Sequence, residues 1–282
     1  MAAMAACRSS EMIVIRLSVV LALAAGVACA SAPRDPVAPV RVLVYNIHAG
    51  TDANRVSNLE RVAAVIRGSR ADIVLLQEVD NRTRRSGRID QLDSLRKLTG
   101  MQGVFGKTID YDGGEYGLGI LSRWAILTSV LEPLPVPAPH SRYEARGALV
   151  ALIEGPLGRI RVIDTHLDAS RDAYRTEQAT RLATIARGPP TADLLGGDFN
   201  SEPDDGVVGI LRSAGFGDAY PGCGVMPGFT FPVAVPVKRI DYLMISSSWT
   251  CRAATVLDSQ ASDHRAVIFE LVYNRKGVAG FQ

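Results

Sequence analysis

The chain has 282 residues, 47% of them hydrophobic and 21% charged, with a formal net charge of +2. That length suits a single large domain, and the composition excludes a disordered chain. The near-zero charge excludes a strong basic field of the kind that gathers nucleic acid, and no repeat of solenoid length is visible.

The first thirty residues differ from the rest. Arg8 and Arg16 precede an apolar or small-residue run, Leu17 to Ala28. About a dozen residues is short for a bilayer span and fits the apolar segment of a signal peptide. Two processing outcomes are open. Cleavage after Ala30 releases a soluble protein, whereas cleavage before Cys29, in the loose lipobox Gly26-Val27-Ala28-Cys29, leaves a lipid-modified cysteine. The alternative is a short hydrophobic anchor that is never cleaved, and a start at Met12 gives a cleaner signal. The expected organisation is a leader at 1–30, a linker at 31–39, a folded domain at 40–275 and a tail at 276–282. Export permits a disulfide between Cys223 and Cys251, and two separate buried thiols are the other reading.

Val40 to Ile47 reads as a buried strand. Leu59 to Ile66 has helical spacing, with Gly68 as its stop. Ile73 to Gln77 is a second strand, and Gln91 to Thr99 a helix closed by Gly100. Leu118 to Leu121, Ala148 to Glu154 and Ile160 to Asp164 are further strands, the last two joined by a turn at Gly155-Pro156-Leu157-Gly158. Ser170 to Ala186 is an amphipathic helix stopped by Gly188-Pro189-Pro190. Leu194-Leu195 opens a strand into Gly196-Gly197-Asp198, and Ile240 to Ile245 and Ala266 to Val272 complete the set. Strands and helices do not alternate strictly, so the pattern reads as a strand-rich α/β sandwich.

Several of these strands end in polar residues that an apolar segment does not need: Tyr45-Asn46-Ile47-His48, Gln77-Glu78-Val79-Asp80, Thr165-His166-Leu167-Asp168, Gly197-Asp198-Phe199-Asn200, Arg239-Ile240-Asp241 and Ser262-Asp263-His264. Taken singly, each reads as a turn former, a solvated edge or a satisfied histidine. Loops at strand ends are also where sites are assembled. In this combination and order the segments resemble the endonuclease/exonuclease/phosphatase superfamily from about Val40 to Val272. The resemblance implies a deoxyribonuclease-like, four-layer α/β/β/α sandwich of two packed mixed β-sheets. It also implies a metal-dependent phosphoester hydrolase.

Phosphoester hydrolysis needs charge neutralised on the phosphoryl oxygens and a water aimed in line. Mg²⁺ or Mn²⁺ supplies the first and takes oxygen ligands. Glu78 is the main candidate ligand, with Asn46 as a neutral amide oxygen and Asp263 as a further carboxylate. Asp198 and Asn200, two apart, share a side of an extended segment. Asp198 is a candidate to orient or deprotonate the water, and Asn200 to donate to a phosphoryl oxygen. His264 stands where the superfamily has its catalytic histidine, with Asp241 setting its tautomer and favouring its cation. Whether His264 or Asp198 is the base is open, as is a second metal.

Thr165-His166-Leu167 is similar to the deoxyribonuclease, sphingomyelinase and lipid-phosphatase branches and unlike the abasic-site enzymes. The resemblance places His166 on the phosphate or leaving group and pairs it with Glu115. Arg84 and Arg85, in an arginine-rich loop after Glu78, are candidate phosphate contacts. Arg146 is either inward-facing or paired with Glu144.

Three functions compete. An exported phosphodiesterase or phosphatase on a lipid or small phosphoester is favoured, because the chain is similar to bacterial hydrolases that resemble the hydrolase half of GPI-anchor lipid-remodelling proteins. It would be periplasmic or tethered to a membrane through Cys29, and a monomer. A secreted nuclease is weakened by near-neutral charge and 6% aromatic content. A non-catalytic binding module of the same fold has no need of the Asp–His pair.

Overall fold

The apolar runs are continuous rather than alternating because the strands they form are covered on both faces. In β1 (Val40–Asn46), Val40, Val42 and Val44 enter one core while Leu43 and Tyr45 enter another. The computed structural model describes residues 38–136, 144–191 and 193–274. The leader, Cys29 and the tail at 276–282 lie outside the described residues, as does most of the linker. The chain divides into two compact units, and the described residues belong to the second, 37–282.

Two six-stranded sheets make the second unit. β2 (Ile73–Asn81), β3 (Gln102–Tyr111), β4 (Gly114–Ser122), β11 (Trp249–Val256) and β12 (Val267–Tyr273) join β1 in the first, ordered β11-β12-β1-β2-β4-β3. The second contains β5 (Ile126–Pro133), β6 (Gly147–Gly155), β7 (Gly158–His166), β8 (Leu194–Asp198), β9 (Gly217–Asp218) and β10 (Asp241–Ile245), ordered β5-β6-β7-β8-β10-β9. Each sheet is antiparallel except for one central parallel pair, β1–β2 in the first and β7–β8 in the second. Both are therefore mixed, as the resemblance implies.

Val42, Val44 and Leu75 of one sheet meet Leu149, Val162 and Leu243 of the other in the central core. α1 (Leu59–Ser69) and α2 (Gln91–Thr99) cover the first sheet through Val62, Ile66, Leu92 and Leu95. α3 (Asp172–Arg187) and α4 (Gly206–Ser213) cover the second through Leu182, Ala186, Val208 and Leu211. This is the α/β/β/α sandwich. Buried polar pairs lie within it. Gln77 Nε2 on β2 donates to Asp164 Oδ1 on β7 at 2.6 Å. Arg239, stacked 4.6 Å over the Tyr242 ring, is paired with Asp218 at 2.7 Å.

Some boundaries differ from the sequence reading. α1 runs one residue past Gly68, and Arg70 takes the left-handed turn at φ 52°. α3 starts at Asp172 rather than Ser170, because Asp168 Oδ1 accepts the Ser170 and Arg171 N–H groups and holds them in a turn. α4 is an unforeseen helix. The strands not foreseen, β3, β5, β9 and β11, are the four sheet edges. Edge strands are half exposed and carry polar residues, so their alternation is blurred. Cys223 and Cys251 form a disulfide with Cα atoms 5.8 Å apart, which settles the two readings of that pair. Among the described residues no helix is long and apolar enough to cross a membrane.

Candidate active site

The strand pairing brings the polar strand ends together. The β7–β8 register sets His166 beside Asp198, and the β8–β10 register sets Asp241 opposite Asp198. Gly197 makes this approach feasible. Its φ is +138°, and a Cβ there would lie 1.8 Å from the Thr165 carbonyl oxygen. On the other sheet Asn46 ends β1 beside Gln77 of β2. The β2–β4 ladder is then broken by a bulge between Leu76 and Val79, and Glu78 within it has a φ of 60°. A bulge re-aims a side chain, and a non-glycine residue in this region is strained. Here it turns Glu78 into the cavity.

Asp198 is the hub. Its Oδ2 accepts Asn46 Nδ2 at 3.0 Å and lies 3.6 Å from His264 Nε2 and 3.5 Å from His166 Nε2. Its Oδ1 accepts the Asn200 N–H at 2.9 Å. His264 Nδ1 is 3.0 Å from Asp241 Oδ2. Burial alone would lower the His264 pKa, but Asp241 and Asp198 outweigh it and raise the imidazole to about 10. Burial pushes Asp198 up to about 7, with Asp241 adding and His264 opposing. His264 is thus a cation in the physiological range, bonded to one carboxylate and facing another. Burial, Arg146 and His264 all push His166 well below the usual histidine range. His166 is neutral, and its Nε2 accepts Asn200 Nδ2 at 3.0 Å.

Above these residues a cavity of about 360 Å³ opens, lined by Glu78, Glu144, Asp263, Arg85, Arg146 and Tyr111 among others. Of the sequence-predicted residues, Glu78, Arg85, Arg146, His166, Asp198, Asn200, Asp263 and His264 line it. Both readings of Arg146 hold at once, since it lines the cavity while pairing with Glu144 at 2.7 Å.

Three expectations are corrected. Glu115 does not pair with His166. It sits on β4 opposite Asn81, accepts Asn81 Nδ2 at 2.8 Å and faces Lys107, whereas His166 belongs to the other sheet. Arg84 is 67% exposed, is tied to Asp112 at 2.9 Å and does not line the cavity. Asn46 turns nitrogen rather than oxygen to the carboxylates. Nδ2 bridges Glu78 Oε1 and Asp198 Oδ2, each at 3.0 Å, while Oδ1 accepts the His48 N–H.

The sequence reading missed a supporting wall. Arg85 is clamped bidentately by the fully buried Asp80, both contacts at 2.8 Å, and its guanidinium lies 4.5 Å over Tyr111 and 5.4 Å from Tyr116. Glu144, beside Tyr116, has its carboxyl pushed up by burial and by Glu78 against the pull of Arg146. Asp80 follows Glu78 by two residues, a spacing that could have marked it as a second inward group. His48 Nε2 lies 3.8 Å from Asp263 Oδ2.

A hard divalent cation fits this donor set. Four carboxylates, Glu78, Glu144, Asp198 and Asp263, line one cavity, and burial raises the pKa values of Glu144 and Asp198. Among the described residues Asp198, Asp241 and His264 are the group whose ligand atoms all lie within 4.8 Å of one another. His264 has Nδ1 committed to Asp241, however, and an imidazolium has no lone pair to offer a metal. The oxygen donors Glu78, Asp198 and Asp263 line the same cavity.

The sequence model of the Endonuclease/Exonuclease/phosphatase family matches residues 43–264. A curated protein of Escherichia coli strain K12, uncharacterized protein YbhP, is 28% identical over 247 residues, covering 82% of this chain and 95% of that protein. An endonuclease/exonuclease/phosphatase structure from Beutenbergia cavernae superposes with a TM-score of 0.71 at 23% identity, over 86% of this chain and 73% of that one. The mannosyl-6-phosphatase Bt3783 of Bacteroides thetaiotaomicron has a TM-score of 0.69 at 20% identity, over 83% of this chain and all of that one.

Proposed function

The chain belongs to the endonuclease/exonuclease/phosphatase family, and on that premise we propose that it is an exported, metal-dependent phosphoester hydrolase acting on a lipid or other small phosphoester. The observation that carries the reading is the Asp198 hub, a buried carboxylate with raised pKa beneath a cavity that holds both carboxylates and arginines.

Glu78 and Asp263 would hold the cation, Mg²⁺ or Mn²⁺, which when bound would neutralise charge on the phosphoryl oxygens. Asp198 is the base. Its neighbour His264 is already protonated and cannot accept a proton, whereas Asp198 has a raised pKa and an acceptor oxygen, Oδ2, among three nitrogen atoms. The His264 imidazolium, held by Asp241, stabilises negative charge developing on the phosphoryl group. Asn200 and the neutral His166 orient that group. Arg146 and Arg85 bind its remaining oxygens, each already fixed by a carboxylate so that little freedom is lost on binding.

Polar lining and modest volume support a small phosphoester headgroup. The Cys223–Cys251 disulfide agrees with an oxidising compartment, and with it the leader and Cys29 support a periplasmic or lipid-anchored protein. Globomycin sensitivity and the intact mass test that part.

The activity test is hydrolysis of bis(p-nitrophenyl) phosphate with Mg²⁺ or Mn²⁺. Activity is expected to vanish with EDTA and to fall by about 10²–10⁴-fold in Asp198→Ala. A fully active Asp198→Ala overturns the mechanism. Comparing sphingomyelin and phosphatidylinositol with plasmid DNA separates the lipid hydrolase from a nuclease, and cleavage of DNA alone overturns the substrate assignment.

A further inference from the structure

From Ala219 to Val237 the chain carries no charged residue, in a protein 21% of whose residues are charged. Ala219, Tyr220 and Val233 are buried, but much of the run is not core. Val225 is 84% exposed and Val235 71%, and Met226 and Val237 are also exposed. These side chains sit on two turns, one at 224–228 and one at 232–237. Val225 and Pro227 of the first turn line the same groove of about 420 Å³ as Pro236 of the second, so the two form one apolar prominence.

That prominence is bolted to the candidate active site. Phe231 and Lys238 pair across the base of the second turn through Lys238 N–H to Phe231 O at 2.9 Å. The Val233 N–H donates to the Asp263 carbonyl at 2.7 Å, and Arg265 donates through its N–H to Thr230 O and through Nε to Val233 O. Phe231 lines the cavity with its ring 4.8 Å from that of His264. The turns therefore project from the rim of the cavity on a segment hydrogen-bonded to the Asp263–His264 loop.

We infer that the two turns insert into the surface of a lipid bilayer and set the mouth of the cavity against it. The inference rests on the reading of the site as a phosphoester hydrolase only for its purpose, presentation of a membrane-borne phosphoester, and not for the docking itself. Exposed valines and a methionine with no charge between them suit a soft apolar medium. Entry of the run strips water from no charge, which is the main penalty for inserting a loop into lipid. The nearest cations sit at its base, where headgroups would lie. Lys238 is exposed there, while Arg265 is paired with Asp258 at 3.2 Å. One anionic headgroup contact is thus available without a strong basic field, matching the near-neutral chain.

The test places a tryptophan in the second turn of the full chain, Val235→Trp, and a control at an exposed valine outside the patch, Val56→Trp. Each is mixed with vesicles of phosphatidylethanolamine and phosphatidylglycerol whose acyl chains are brominated. Quenching at 235 at least twofold stronger than at 56 is expected, and Val225→Asp with Val237→Asp should abolish the excess. Equal or absent quenching overturns the inference, and so does a wild-type dimer that this aspartate pair converts to monomer, since the patch would then join two copies of the chain. Quenching needs no turnover, so its failure is distinct from failure of the hydrolase reading. If both hold, the aspartate variant loses activity on vesicle-borne lipid about tenfold while hydrolysing bis(p-nitrophenyl) phosphate at the wild-type rate.

Discussion

His264 and Asp198 are 3.6 Å apart, and their protonation states are set by each other and by Asp241. The raised His264 pKa makes the imidazolium a source of stability that is fully present below the ordinary histidine range and lost as pH rises through about 10. Asp241→Asn removes the nearest anion while keeping a hydrogen-bond acceptor of similar shape. The His264 titration, followed by NMR, is then expected to move down from about 10 toward the ordinary range. The stability deficit of the variant in thermal melts should be largest near about pH 6 and shrink toward alkaline pH, because the wild type loses its advantage there. Turnover should fall about 10²-fold or more. An unmoved His264 titration would show that Asp241 does not control the histidine.

At the scale of elements, β2 and β7 are joined through the buried Gln77–Asp164 hydrogen bond at 2.6 Å. Burial raises the Asp164 pKa well above the carboxylate range, against hydrogen bonds from Gln77 and backbone groups that lower it. A carboxyl whose folded pKa is raised helps stability below its unfolded pKa, and that help is lost as pH rises toward the folded value. At neutral pH Asp164 is therefore a burden that an amide would not carry. Asp164→Asn keeps the acceptor for Gln77 Nε2 and removes the ionisable group. The variant should melt above the wild type, by a margin that widens from about pH 4 to pH 8. A margin that narrows over that range would show that Asp164 is ionised in the folded chain. The placement suits the site as well, since this bond ties Gln77, the residue before Glu78, to the strand that ends in His166.

For the whole molecule, the covalent link is the Cys223–Cys251 bridge, which spans 28 residues and ties the segment after β9 to β11. It thereby connects one edge of the second sheet to one edge of the first, where a strand has a neighbour on a single side. Closing a loop of that length restricts the unfolded chain and is expected to contribute about 3–4 kcal/mol. Chemical denaturation with and without reductant should show that loss as a lower midpoint. An unchanged midpoint would mean that the sandwich alone holds these edges. The bridge also ties down the uncharged run four residues after its start at Ala219, so reduction is expected to loosen that run before the central strands.

Much of this protein was determined by its residues in order. β1, β2, β7 and β12 carry mainly apolar stretches because strands covered on both faces bury most of their positions, and the polar residues near their ends stand out against that background. Asp198, Asn200, His166, Glu78 and His264 were legible from their order along the chain, which resembles that of the superfamily, and not from any one of them alone. What tertiary structure alone decided is which of these groups face each other and with which atom. Asn46 shows nitrogen, not oxygen, because the His48 N–H claims its oxygen. Glu115 and His166 fall on different sheets, and no spacing along the chain tells one sheet from the other. Arg84 and Arg85 are neighbours in sequence, yet Asp112 draws one outward and the buried Asp80 holds the other at the cavity. The order of residues records burial, because burial is a property of each side chain. It does not record pairing across 30 to 150 positions, because those contacts are set by the register and packing of two sheets that local pattern leaves free.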